Sequence, residues 1–155
     1  MKNIIGIENK KAKKLTTSLN DLLANYQVFY QNLRGFHWNI REKRFFELHL
    51  KFEELYNDAL IKVDEIAERV LTLSATPLHT FKKYLEISEI EGAENITDGE
   101  AAISSILEAL TVLLKKERAI LSIAGDANDE GTVALMSDYI VQQEKLVWML
   151  SAYQN

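Results

Sequence analysis

The chain contains no cysteine, which excludes disulfides, iron–sulfur ligation and thiolate zinc sites. It has one proline, Pro77, and six glycines, so helix breakers are few. No apolar run approaches the roughly 18 residues that a membrane span needs. The opening segment MKNIIGIENKKAKK has too short an apolar patch for a signal peptide and no small-residue cleavage site after it. A cytoplasmic protein without membrane contact is therefore expected. Positive charge is not in excess: the net charge of −5 argues against a broadly basic nucleic-acid surface. Lys2, Lys10, Lys11, Lys13 and Lys14 nevertheless crowd the start. They read first as a solvated helix start and, in the alternative, as a DNA contact. Histidine is scarce as well, with three in the chain.

What is present is helical. A length of 155 residues, 47% hydrophobic and 26% charged, suits one globular domain, residues 1–155, around a single core. Leu15, Leu19, Leu22, Tyr26, Phe29 and Leu33 recur in steps of four and three. That spacing predicts one apolar stripe on a helix from about residue 8 to 38. NIREKR is a polar connection, and a second helix is expected from about Phe45 to Ser74, with Pro77 marking its end. LHTFKKYLEIS suits a short helix in a crossover. TDGE is a capping-box pattern, with Thr97 as N-cap and Glu100 at N3. The third long helix then carries Ile103, Leu107, Leu110, Leu114 and Leu121, and GDANDEG breaks it. The fourth carries Val133, Met136, Ile140, Val147 and Leu150. Four long helices joined short, long, short predict an all-α, ferritin-like four-helix bundle, with the one long crossover carrying the short helix.

Two of the three histidines, His37 and His49, flank the polar connection, and Trp38 follows the first. On the second helix, at about 100° per residue, Glu53 falls near 40°, Asp64 near 60° and Glu68 near 100° from His49. One histidine and three carboxylates thus share a face, a donor set that suits iron, manganese or zinc. Taken singly, each has an ordinary reading: a cap, a solvated face, or plain packing for Trp38. Together they are harder to dismiss. The rise separates them, however. His49 and Asp64 lie roughly 22 Å apart at about 1.5 Å per residue, too far to hold one metal within one chain. His37 can approach His49 across the loop. Each chain therefore offers a histidine half (His37, His49, with Glu53) and an acidic half (Asp64, Glu68). Two copies packed antiparallel about a two-fold axis near Asp58 and Ala59 would join them into two equivalent sites. His79, in the crossover, is expected to be a surface residue.

The segment HWNIREKRFFELHLKFEELYNDALIKVDEIAERVLTL resembles the signature of the Dps proteins, a branch of the ferritin-like superfamily. The shared pattern is His-Trp, then Phe-x-x-x-His, then Asp-x-x-x-Glu-Arg, and the likeness continues through DEGTVALMSDYIVQQEKLVWML. The Glu-x-x-His motif of ordinary ferritins is absent. The resemblance implies a hollow dodecamer built from two-fold dimers. It implies inter-subunit ferroxidase sites with His37 and His49 from one subunit and Asp64 and Glu68 from its mate. Glu53 stands where the family often has aspartate. The implied reaction is oxidation of Fe(II), preferably by hydrogen peroxide, with the Fe(III) stored as ferric oxyhydroxide. Trp38 matches a family tryptophan that intercepts stray oxidising equivalents. Asp126, Asp129 and Glu130 fall in the region of the family's three-fold iron-entry pores, while Ala134 replaces an acid found in some relatives. Asn128 or Asp129 could cap the fourth long helix, and the two roles can coexist.

Overall fold

A computed structural model describes all residues, 1–155. Five helices follow one another: α1 (Asn9–Asn39), α2 (Phe45–Thr72), α3 (Phe81–Ile87), α4 (Gly99–Asp126) and α5 (Glu130–Gln154). There are no strands beyond an isolated bridge between Lys2 and Glu8. The long helices match the sequence reading to within a residue or two. α2 stops at Thr72, before Pro77, because Ser74 takes a left-handed conformation with φ of 69°. The cap of α4 is Asp98 rather than Thr97. Its carboxylate accepts from the Ala101 amide, and Gly99 is the first helical residue. No helix is long and apolar enough to cross a membrane.

Pairings along the bundle set its directions. His37 meets His49 and Tyr30 meets Tyr56, so α1 and α2 run antiparallel. Lys11 reaches the Asp126 carbonyl while Tyr26 meets Glu117, so α1 and α4 are also antiparallel. Hence α2 and α4 are parallel, and the connection between them travels the length of the bundle. Arg69 and Lys62 of α2 bond Thr132 and Gln142, which sets α5 antiparallel to α2.

The apolar stripe predicted for α1 is buried at every position, from Leu15 to Leu33. On α4 and α5 the predicted stripes are buried in part, at Ile103, Leu110, Leu114, Met136 and Leu150. Leu107, Leu121, Val133, Ile140 and Val147 are half-buried, while Glu117, Tyr139 and Gln143 lie in the interior.

The crossover is held by asparagines of α1. Asn20 accepts from the Leu78 amide and donates to the Thr76 carbonyl. Asn32 does the same with Ala93 and Glu91. Between them, buried Asn25 accepts from Ser88 Oγ and from the amides of Glu89 and Ile90. Replacing Asn25 with leucine strands these donors. We expect a loss of about 2–4 kcal/mol in stability, read from the urea midpoint, and faster hydrogen exchange at Glu89 and Ile90.

At the end of the bundle where α1 turns into α2, Glu42 accepts from the Gly99 amide at 2.7 Å. A Cβ at Gly99 would clash with that carboxylate and with the Leu48 side chain, so only glycine admits this approach. The contact anchors the loop between the two histidines against the start of α4.

Candidate metal centre

His37 lies in the last turn of α1, where carbonyls lack intrahelical partners. His49 lies in the second turn of α2. The loop between them folds the two rings face to face, 3.8 Å apart and 12° from parallel. Each ring is fixed by the other residue's backbone. His37 Nδ1 donates to the His49 carbonyl and His49 Nδ1 to the His37 carbonyl, both at 2.7 Å. A carbonyl only accepts, so both Nδ1 atoms carry the proton. In the neutral rings Nε2 is then the lone-pair atom. A metal-binding imidazole is commonly oriented in this way, by a hydrogen bond from its other nitrogen. Phe45 stacks on the outer face of His49 at 4.8 Å, and Tyr56 sets its ring edge-on to His37 at 5.3 Å. His37 is buried and His49 half-buried. Glu53, one turn beyond His49, is half-buried too.

Asp64 and Glu68 are exposed, one turn apart on α2. The Glu68 carboxyl is pushed above its ordinary range by a hydrogen bond with Asp64 and by the Asp64 charge. Two carboxylates that compete for one proton are a ready place for a cation. Their neighbours are engaged elsewhere: Glu65 accepts from Tyr139, and Arg69 is paired with Asp129. Within one chain no three histidine, aspartate or glutamate side chains gather as a metal-binding group. The residues singled out from sequence are thus arranged as two separate clusters on α2.

Trp38 is 56% exposed, and the Arg34 guanidinium lies 4.7 Å from its ring centre. The aromatic rings touching the histidines are Phe45, the phenylalanine of the Phe-x-x-x-His pattern, and Tyr56, which the sequence reading did not single out. Tyr56 was within reach of that reading. It lies seven residues beyond His49, about 20° away on the helical wheel.

The acids at the α4–α5 turn divide. Asp126 and Glu130 are exposed. Asp129 is 2% exposed, and both its oxygens are used inside the chain. Oδ1 accepts from Arg69 Nη2 at 2.6 Å and from the Thr132 amide at 3.1 Å, and Oδ2 accepts from Thr132 Oγ1. Asp129 is the N-cap of α5 and a strut to α2, whereas Asn128 takes a left-handed turn with φ of 56°. Of the two residues expected as possible caps, the structure uses Asp129. Of the N-terminal lysines, Lys10, Lys11, Lys13 and Lys14 lie in α1, and Lys11 is bonded to the Asp126 carbonyl. His79 is exposed in the crossover.

A family model for the ferritin-like domain matches residues 16–155. A DNA protection during starvation protein from Porphyromonas gingivalis is 43% identical, over 97% of this chain and 94% of its own length. The crystal structure of a Dps protein from Vibrio cholerae O1, described as a member of a broad superfamily of ferritin-like diiron-carboxylate proteins, superposes with a TM-score of 0.98. It is 52% identical, covering 99% of this chain and 97% of the other. A Dps crystal structure from Bacillus brevis gives a TM-score of 0.92 at 33% identity, covering 96% and 99%.

Proposed function

Because the chain belongs to the Dps family of the ferritin-like superfamily, we propose that it oxidises Fe(II) with hydrogen peroxide at sites shared between two subunits. The ferric product is kept as oxyhydroxide inside a hollow shell of twelve copies. Iron storage and protection is the coarse function that family membership supports. The reciprocal backbone lock of His37 and His49 is the observation that carries the finer reading. It holds both imidazoles by Nδ1 and leaves Nε2 of each ring for a metal, at a place where one chain lacks the carboxylates to complete a site.

Iron is the substrate here. Nε2 of His37 and of His49 binds Fe(II), while Asp64 and Glu68 of a second copy supply anionic oxygens that favour the harder Fe(III) product. Glu53 adds a carboxylate from the histidine side. Peroxide takes two electrons from two Fe(II), which avoids releasing hydroxyl radical. Trp38 intercepts oxidising equivalents that escape this step. Asp126 and Glu130, the exposed acids of the α4–α5 turn, draw cations towards a pore by electrostatic focusing.

The test is anaerobic Fe(II) loading followed by peroxide in stopped flow, with the particle mass measured alongside. The expected result is a fast ferric signal with about two iron atoms consumed per peroxide, retained in a particle of twelve chains. The reading fails if no ferric product forms, or if hydroxyl radical accompanies each turnover.

A further inference from the structure

The face of α2 that carries the candidate ligands also carries apolar side chains that one chain leaves bare. Phe46 is 85% exposed and Leu71 58% exposed, with Leu50, Leu60 and Ile61 exposed between them. At about 100° per residue, Phe46 lies near 60°, Leu50 near 100°, Leu60 near 20°, Ile61 near 120° and Leu71 near 40° from His49. That is the sector that holds Glu53, Asp64 and Glu68. A contiguous exposed apolar stripe of this kind marks a surface that packs against something. The polar residues within it select the occupant. The stripe has imidazole at one end and paired carboxylates at the other, so a second α2 lying antiparallel sets imidazole against carboxylate at both ends.

Packing about a two-fold axis between Asp58 and Ala59 brings each residue opposite the one equally far beyond the axis. His49 then faces the partner's Glu68, and Glu53 faces the partner's Asp64. The same register, with nothing adjusted, sets Phe46 against the partner's Leu71 at each end of the stripe. Both lie roughly 19 Å from the axis at about 1.5 Å per residue, just outside the ligands. Each is tied to its own half-site. Phe46 meets Phe45 edge-on at 5.4 Å, and Phe45 stacks on His49 at 4.8 Å. Leu71 follows Glu68 by three residues, close to one turn of α2.

We propose that Phe46 of one subunit packs against the partner's Leu71, and that this apolar pair closes the outer end of each shared site. The inference rests on the shared-site reading above. The partner's Leu71 backs Phe46, which in turn holds Phe45 against His49, so the second copy supports the imidazole as well as supplying carboxylates. Excluding water at that end also strengthens the attraction of the carboxylate oxygens for a cation.

The cysteine-free chain allows a direct test. Phe46→Cys and Leu71→Cys combined in one chain, oxidised in the intact assembly, should give covalent dimers on a non-reducing gel. The two positions lie roughly 38 Å apart along one helix, so the bond cannot form within a chain. Each single variant should run as a monomer, because its own copy is as far away across the axis. In parallel, zinc is loaded into the assembly and its transfer to a chelator is followed. Phe46→Ala and Leu71→Ala should each weaken zinc binding by about 10-fold, as loss of a group supporting a metal ligand does, with the particle mass unchanged. Assembled particles of the double variant that fail to cross-link overturn the pairing and show that another surface covers the stripe. A cross-link in either single variant overturns it as well. Zinc held as tightly in both alanine variants as in the wild type overturns the closure. Ferric product from Fe(II) and peroxide is read separately in the wild type. If it is absent while the double variant cross-links, the iron reading fails and the interface stands.

Discussion

His37→Ala abolishes the fast phase of peroxide-driven Fe(II) oxidation, by at least about 100-fold, with the particle still assembled. Loss of a residue that merely orients a metal ligand costs about 10–100-fold, and in the proposed site this change removes a direct ligand. The substitution is clean in one respect. His49 is oriented by the backbone carbonyl at position 37, which alanine retains, so the second imidazole keeps its hydrogen bond. Asp64→Ala, about 22 Å along α2, should give the same loss for a different reason, by deleting the oxygen ligand that the proposed site takes from the other subunit. His79→Ala, in the exposed crossover, should leave the rate unchanged. Stopped-flow oxidation and particle mass read all three variants.

Glu117→Gln should stabilise the protein above neutral pH, by on the order of 3 kcal/mol. Glu117 is fully buried, and desolvation pushes its carboxyl up to about 7, against hydrogen bonds from Tyr26 and Gln143 and the nearby charges of Lys62 and Arg118 that favour the carboxylate. Tyr26 donates to Glu117 Oε2 at 2.6 Å, while Glu117 Oε1 and Gln143 Oε1 have no partner. The cluster lacks a donor, and a proton on Glu117 supplies one. A carboxyl raised on folding stabilises the native state fully below its unfolded value near 4.5. That contribution is lost as pH rises through about 7. The glutamine amide keeps a donor at every pH. Urea midpoints of variant and wild type should therefore be close at about pH 5 and diverge by about pH 8, with the variant higher. A variant less stable than wild type at the higher pH would show that the carboxylate is held favourably by Lys62.

The same cluster explains what the sequence concealed. The reading of α1 succeeded because its core face is apolar at each step from Leu15 to Leu33. On α4 and α5 the core face also passes through Glu117 and Gln143, so leucine and isoleucine periodicity found part of it: Ile103, Leu110, Leu114, Met136 and Leu150 are buried, while Leu107, Leu121, Val133, Ile140 and Val147 are half-buried. Tertiary pairing of these polar groups with Tyr26 and with each other outweighed their local preference for solvent. At the metal centre, helix geometry made the separation of His49 from Asp64 legible, because rise per residue is fixed. The reciprocal lock of the two imidazoles was not legible, since it uses backbone carbonyls that every residue possesses. Asp129 was ambiguous for a similar reason. A carboxylate at that position can serve a pore and a cap together, and the Arg69 and Thr132 contacts that show the cap depend on tertiary packing.

The claim that each site is shared between two chains is tested most directly by co-assembly. His37→Ala and Asp64→Ala subunits, each inactive alone, are unfolded, mixed in equal amounts and refolded together. In a mixed two-fold pair one site loses both contributions and the other keeps both. Random pairing therefore restores about a quarter of the wild-type sites. Recovery of fast Fe(II) oxidation to about that level is the predicted result. Particles that contain both subunits and remain inactive would contradict the shared site.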